Sequence, residues 1–125
     1  MIAEAAAARW HDVGAWVLIA ANAAAGVVAL AAHRCTAMRR RLTTLVIVAA
    51  QLTAVAQAIS GSILIANHDR DPAPLHALYG FTAVATVGIL YSYRTSSWMR
   101  GREYLLYALG SFWIMGLGLR ELVLS

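Results

Sequence analysis

The sequence predicts an all-α integral membrane protein, a bundle of four transmembrane helices in up-down-up-down order that forms one domain over residues 1–125. Composition is the first reason. The chain is 61% hydrophobic and only 13% charged, whereas a soluble domain carries about 25% charged residues. The second reason is the distribution of the apolar residues, which form four long runs without strict alternation, and open strands would leave backbone groups unpaired in lipid.

The four predicted spans cover about residues 13–32, 42–66, 75–93 and 104–124. At 1.5 Å per residue the first three reach roughly 28 to 37 Å, enough to cross a hydrocarbon core about 30 Å thick. The first run has no basic segment before it and is too long for a signal peptide, so we expect it to stay in the mature protein. Pro72 and Pro74 end the second helix, and the third can begin directly after Pro74.

The arginines predict the orientation of the spans. All ten basic residues are arginines, and seven follow the first or third span: Arg34, Arg39, Arg40, Arg41, Arg94, Arg100 and Arg102. By the positive-inside rule both of these loops are cytoplasmic, which places both termini outside. Arginine without lysine, together with abundant alanine, is typical of a high-GC bacterial genome and predicts the bacterial plasma membrane. Short basic loops beside spans fit anionic lipid, and we expect no nucleic-acid partner.

The histidines are the candidate ligands of a cofactor. His11, His68 and His76 lie at the predicted outer face, and His33 lies at the inner face. A haem b takes two axial imidazoles from facing helices of a bundle at similar depth. We expect His11 and His76, at the starts of the first and third helices, to converge on the iron, with His68 as a substitute. Arg120 and Arg70 are the predicted partners of the haem propionates.

Two alternatives stay open for the same histidines. They could be interfacial side chains that bind nothing. They could also form a zinc or copper(II) site with nearby carboxylates, from a set comprising His11, Asp12, His68, Asp69, Asp71 and His76. The polar residues inside the spans are uncharged, which argues against a proton relay or an ion carrier. Among them, Gln51 and Gln57 are expected to hydrogen-bond between helices.

Nothing in the chain predicts catalysis. No triad, P-loop or dinucleotide-binding motif is present, and Cys35 is the only cysteine. We therefore expect no enzymatic activity from this chain on its own.

The stretches "LHALYGF" and "GREYLLYALGSFWIMGLGLRE" carry a resemblance. With them the chain resembles small, largely uncharacterised four-helix membrane proteins of high-GC Gram-positive bacteria. The outer-face histidines are also loosely similar to those of b-type cytochrome bundles and of one half of the haem A synthase family. This second resemblance implies His11 and His76 as axial ligands. The chain is half the size of haem A synthase and lacks its second bundle, so the resemblance does not extend to that activity.

Together these observations predict a small membrane subunit of a respiratory or electron-transfer assembly, with one haem b near the outer face. The alternative is a cofactor-free accessory or anchoring subunit of a larger membrane complex. In both, the expected partners are the lipid bilayer and larger membrane-protein subunits. An oligomeric channel for an uncharged substrate is a third hypothesis, because a single copy encloses too little volume for a pore.

Overall fold

The computed structural model describes residues 2–68 and 74–124, nearly all of them helical. In chain order the helices are α1 (Ile2–Arg34), α2 (Arg41–His68), α3 (Pro74–Tyr93) and α4 (Glu103–Leu124). Single 3-10 turns lie between α1 and α2 (Thr36–Met38) and between α3 and α4 (Ser97–Met99). Within the described ranges, each of the four α-helices is long and apolar enough to cross a membrane. The predicted all-helical class with four candidate spans is confirmed.

The predicted start of the first helix is wrong. The sequence places His11 at the start of this helix, whereas α1 begins at Ile2, because alanine is the best helix former and residues 3–8 contain neither glycine nor proline. His11 therefore lies more than two turns inside α1 and not at its start. α3 begins at Pro74, close to the predicted position, since proline suits the first turn of a helix. Residues 69–73, which connect α2 and α3 and include Pro72, lie outside the described residues.

Small residues let the helices approach closely. α1 packs most extensively against α4 and α2, while α3 packs against α4 and less against α2. A Cβ atom added at Gly118 of α4 would lie only 2.8 Å from Leu18 of α1, and one added at Gly110 would lie 2.6 Å from Leu90 of α3. Gly116 is exposed and has no neighbour within 4 Å. α4 is thus closely packed at Gly110 and Gly118 and open at Gly116.

Two apolar clusters form the core. The His-end cluster consists of Leu18, Ala54, Ala83, Val87, Ile114 and Leu117. The Arg-end cluster consists of Ala25, Ala29, Ile47, Ala50 and Ala108. The first lies nearer to His11 along α1, and the second lies nearer to the arginine-rich connections.

Arg39 holds the arginine-rich connections together. Its Nε donates to the carbonyl of Ala32 at 2.8 Å and its Nη2 to the carbonyl of His33 at 3.3 Å, which satisfies carbonyls that the end of α1 leaves free. The guanidinium also lies over the ring of Tyr104, 5.3 Å from its centroid. Because Tyr104 follows the second connection, this contact joins the neighbourhoods of the two connections, and we call this part of the bundle the Arg39 end. The opposite end is the His11 end.

α3 is the least covered helix. Only 11% of its most apolar stretch is buried, compared with 33% for α1 and α4. An open, mostly apolar groove of about 480 Å³ runs between α2 and α3 and includes Ala58, Ile59 and Val84 in its lining. Large apolar side chains such as Phe81 and Ile89 point outward, as a helix that faces lipid requires.

Candidate functional site

The centre of the site is a pair of imidazoles. The ring of His11 on α1 and the ring of His76 on α3 have centroids 6.1 Å apart and planes inclined by 68°. Both side chains are half-buried. The structure therefore brings together the two histidines that the sequence predicts to converge, although they come from helices that hardly contact each other elsewhere.

A hydrogen-bond chain fixes the orientation of His11. Nδ1 of His11 lies 2.7 Å from Oγ of Ser60, and Ser60 donates its single hydroxyl hydrogen to the carbonyl of Gln57 at 3.1 Å. The tautomer of the ring decides which atom donates across the 2.7 Å contact. In the tautomer with the proton on Nδ1, Ser60 accepts it and Nε2 carries the lone pair. This is the arrangement in which a histidine coordinates a metal through Nε2.

Gln57 adds a second link between the same helices. Its Nε2 donates to the carbonyl of His11 at 3.0 Å, which confirms its predicted role between helices. Gly14 makes this possible, because a Cβ there would collide with Oε1 of Gln57. The same prediction is wrong for Gln51, whose Nε2 and Oε1 are both buried without a partner in the described part of the chain.

Two further glycines make room for polar side chains. A Cβ at Gly61 would lie 3.2 Å from Cε1 of His11, so the imidazole rests directly against the α2 backbone. A Cβ at Gly80 would lie 3.3 Å from Oε1 of Glu121, a half-buried residue near the end of α4. Gly80 follows His76 by one helical turn, on the same face of α3. The carboxylate of Glu121 is therefore part of the His11 end.

Sequence reasoning missed Glu121 and Ser60. Glu121 lies inside the candidate span Glu103–Val123, so the expectation of spans without charge is wrong at this position. A signal for Ser60 did exist, because it follows Gln57 by three residues and so shares its face of α2. The contact with His11 could not be read from that spacing.

His76 has one atom that needs explanation. Its Nδ1 is buried and has no hydrogen-bond partner among the described residues. Buried polar atoms without a partner are uncommon in folded proteins and often mark a functional site. His76 therefore brings an unsatisfied nitrogen to the pair.

The other predicted site residues are placed as follows. Arg120 is exposed, and the structure shows no ion pair or hydrogen bond for it within the described ranges. His68 is the last residue of α2, but its side chain lies outside the described part of the chain. Arg70, Asp69 and Asp71 lie outside it entirely.

A closed metal site is not found in the part that the structure describes. There, no three His, Cys, Asp or Glu side chains are placed to hold one ion. His11, Asp12 and His76 alone therefore do not form the predicted zinc or copper(II) site. The side chains of the other predicted ligands, His68, Asp69 and Asp71, lie outside the described part of the chain. His33, which the sequence places at the inner face apart from the other histidines, lies at the Arg39 end, where its backbone carbonyl accepts a hydrogen bond from Arg39.

Comparison with known proteins found no family model, no curated protein and no solved structure that matches this chain. The fold itself gives four helices compatible with a multi-pass membrane protein. The site adds a pair of neighbouring histidines at one end, of which His11 contacts Ser60 and lies against Gly61.

Proposed function

We propose that this protein is a small multi-pass subunit of a bacterial electron-transfer assembly that holds one haem b at the His11 end, with His11 and His76 as axial ligands. The observation that carries the proposal is the 6.1 Å separation of the two rings. Two metal–nitrogen bonds of about 2 Å each place the ring centroids roughly 6 Å apart across one ion. A packed aromatic pair has a similar spacing, so the ligand role depends on further features.

Two features of the ring nitrogens support the ligand role. Nδ1 of His11 lies 2.7 Å from Oγ of Ser60, and we assign Nε2 of His11 as the atom that would bind the iron. His76 contributes a buried nitrogen without a partner. Nδ1 of His33 at the Arg39 end is also buried without a partner among the described residues, so the unpaired nitrogen supports the ligand role of His76 only together with the proximity of the two rings. Haem b, when bound, supplies a one-electron carrier, and the protein supplies its ligands and their orientation.

The orientation in the membrane is part of the proposal. The helices run up-down-up-down with the Arg39 end in the cytoplasm and both termini outside, because the arginines concentrate in the two connections at that end. The haem then lies near the outer face of the bacterial plasma membrane. Arg120, exposed on α4, and Arg70 are the proposed partners of the propionates. The Arg39 end has only His33, so electrons do not cross the bilayer through this chain alone.

An absorbance spectrum of the purified protein tests the proposal. We expect a Soret band and a reduced α band that are both lost in His11→Ala and in His76→Ala. His33→Ala is the matched control, since it removes a half-buried histidine at the opposite end and should leave the spectrum unchanged. A colourless wild-type protein that is folded by circular dichroism and stays colourless after haemin is added would contradict the haem proposal.

The second candidate is a cofactor-free accessory subunit that anchors a larger membrane complex. The poor coverage of α3 favours it, because a transmembrane helix of a larger subunit would bury the face that α2 and α4 leave open. Such a subunit co-purifies with its complex in mild detergent, and Ala58→Trp, which fills the groove beside α3, reduces that co-purification. Isolation of a stable lone chain from its native membrane contradicts this candidate.

A further inference from the structure

A layer of buried polar side chains separates the two apolar clusters. Asn22 on α1, Gln51 on α2 and Ser111 on α4 are 0%, 2% and 0% exposed. On each helix the polar residue lies between a member of the His-end cluster and a member of the Arg-end cluster. The flanking pairs are Leu18 and Ala25 for Asn22, Ala54 and Ala50 for Gln51, and Ile114 and Ala108 for Ser111. The layer therefore interrupts the core on three helices.

Several atoms of this layer lack partners. Nδ2 of Asn22 donates to the carbonyls of Leu18 at 2.9 Å and Ala50 at 3.3 Å. Oδ1 of Asn22, both amide atoms of Gln51 and Oγ of Ser111 have no partner among the described residues, although all four atoms are buried. Each such atom destabilises the fold when it stays unsatisfied. Lipid cannot supply the missing hydrogen bonds.

The unpaired atoms define what could bind to them. Oδ1 of Asn22 and Oε1 of Gln51 accept hydrogen bonds, the amide nitrogen of Gln51 donates, and the hydroxyl of Ser111 does both. No charged group belongs to the layer, so a buried ion would have no compensating charge there. The matching ligand is small and neutral, and it both donates and accepts. Water meets each of these conditions, and buried water typically makes two to four hydrogen bonds to such atoms.

Polar groups connect this layer with the His11 end. Along the interface between α1 and α2 the hydrogen-bonding side chains of Ser60, Gln57 and Thr53 follow one another on α2, and Oγ1 of Thr53 lies 3.4 Å from Nδ2 of Asn22. On the other side of the layer the Arg-end cluster contains only alanine and isoleucine. Tyr104 and Tyr107 pack against this cluster from outside, whereas the hydrogen bond from the layer to Thr53 belongs to the row of polar side chains that runs along α2 toward the His11 end.

We propose that Asn22, Gln51 and Ser111 form an internal hydration site in the middle of the bundle, which water enters from the His11 end and which the Arg-end cluster closes. The site is separate from the histidine pair and requires no haem. It gives the middle of a membrane-spanning bundle a polar, uncharged interior.

Cysteine reactivity tests the site. In a chain with Cys35→Ser, Ser111→Cys is compared with Ala108→Cys, its neighbour on α4, which is equally buried at 1% exposure but lies in the Arg-end cluster. Thiols react as thiolates, which need a hydrated environment. With methyl methanethiosulfonate as the small neutral reagent, we expect the cysteine at position 111 to react at least about tenfold faster than that at 108. Equal rates overturn the proposal.

A second measurement covers the case in which the cysteine variants do not fold. Ser111→Ala and Gln51→Leu remove polar atoms from the layer. If water satisfies these atoms, each variant deprives the remaining partners of a hydrogen bond, and the thermal midpoint falls. If the atoms are simply unsatisfied, their removal relieves a penalty, and the midpoint rises. A rise in both variants overturns the proposal.

Discussion

Nδ1 of His11 lies 2.7 Å from the hydroxyl oxygen of Ser60, so one hydrogen bond fixes an imidazole of α1 against α2. Ser60→Ala removes this bond without changing the backbone of α2. We expect the unfolding free energy to fall by about 1 kcal/mol, the usual net value of one such bond. We also expect less haem per protein, because the imidazole loses the partner that holds its orientation. Thermal unfolding and the ratio of Soret to protein absorbance measure the two effects.

Ser62→Ala is the matched control for this change. Ser62 lies on the same helix, is exposed and makes no side-chain hydrogen bond in the described structure. It should leave both quantities unchanged. Equal effects of the two substitutions would show that the bond between Ser60 and His11 has no special role.

The contact between Gly61 and His11 leads to a second prediction. In Gly61→Ala the new Cβ would lie 3.2 Å from Cε1 of His11, so the ring must move by a few tenths of an ångström. Haem content should fall. Gly88→Ala adds the same methyl group where nothing lies within 4 Å. It should leave haem content unchanged and stabilise α3 by about 0.5–1 kcal/mol, since alanine is the better helix former. Haem titration of both variants decides this, and an unchanged haem affinity in Gly61→Ala contradicts it.

The two glycines near the end of α4 should respond with opposite signs. In Gly118→Ala the added Cβ would lie 2.8 Å from Leu18, which is only 4% exposed and has little room to move. We expect destabilisation by about 1–3 kcal/mol, as for other overpacked cores. Gly116→Ala meets no neighbour and should be neutral or stabilising. Unfolding in mixed micelles compares them, and similar stabilities would mean that α1 and α4 are packed less closely at Gly118.

The membrane orientation gives the fourth prediction. A cysteine at position 73, introduced by Ala73→Cys in a Cys35→Ser chain, should react with a membrane-impermeant maleimide in intact cells. Native Cys35, exposed at the Arg39 end, should react only after the cells are opened. Labelling of Cys35 alone in intact cells would invert the orientation and place the histidine pair at the cytoplasmic face.

The four apolar helices and the start of α3 could be predicted from the sequence because they depend on local composition, whereas the start of α1 was predicted too late in the chain. The four spans and the start of α3 at Pro74 follow from apolar runs and from proline geometry. The proximity of His11 and His76 also followed, since residues at matching depth in a bundle converge. The bond between His11 and Ser60, the glycine beneath His11 and the position of Glu121 could not be predicted. They depend on how far each helix is rotated about its axis, and runs rich in alanine leave that rotation almost unspecified by hydrophobic pattern.

The early start of α1 shapes the entrance to the histidine pair. His76 lies within the first turn of α3, whereas α1 continues for nine further residues beyond His11, from Trp10 back to Ile2. At 1.5 Å per residue this extension rises about 13 Å above the rings. α2 likewise continues for eight residues beyond Ser60, to His68. Both α1 and α2 therefore extend past the rings, whereas α3 begins only two residues before His76.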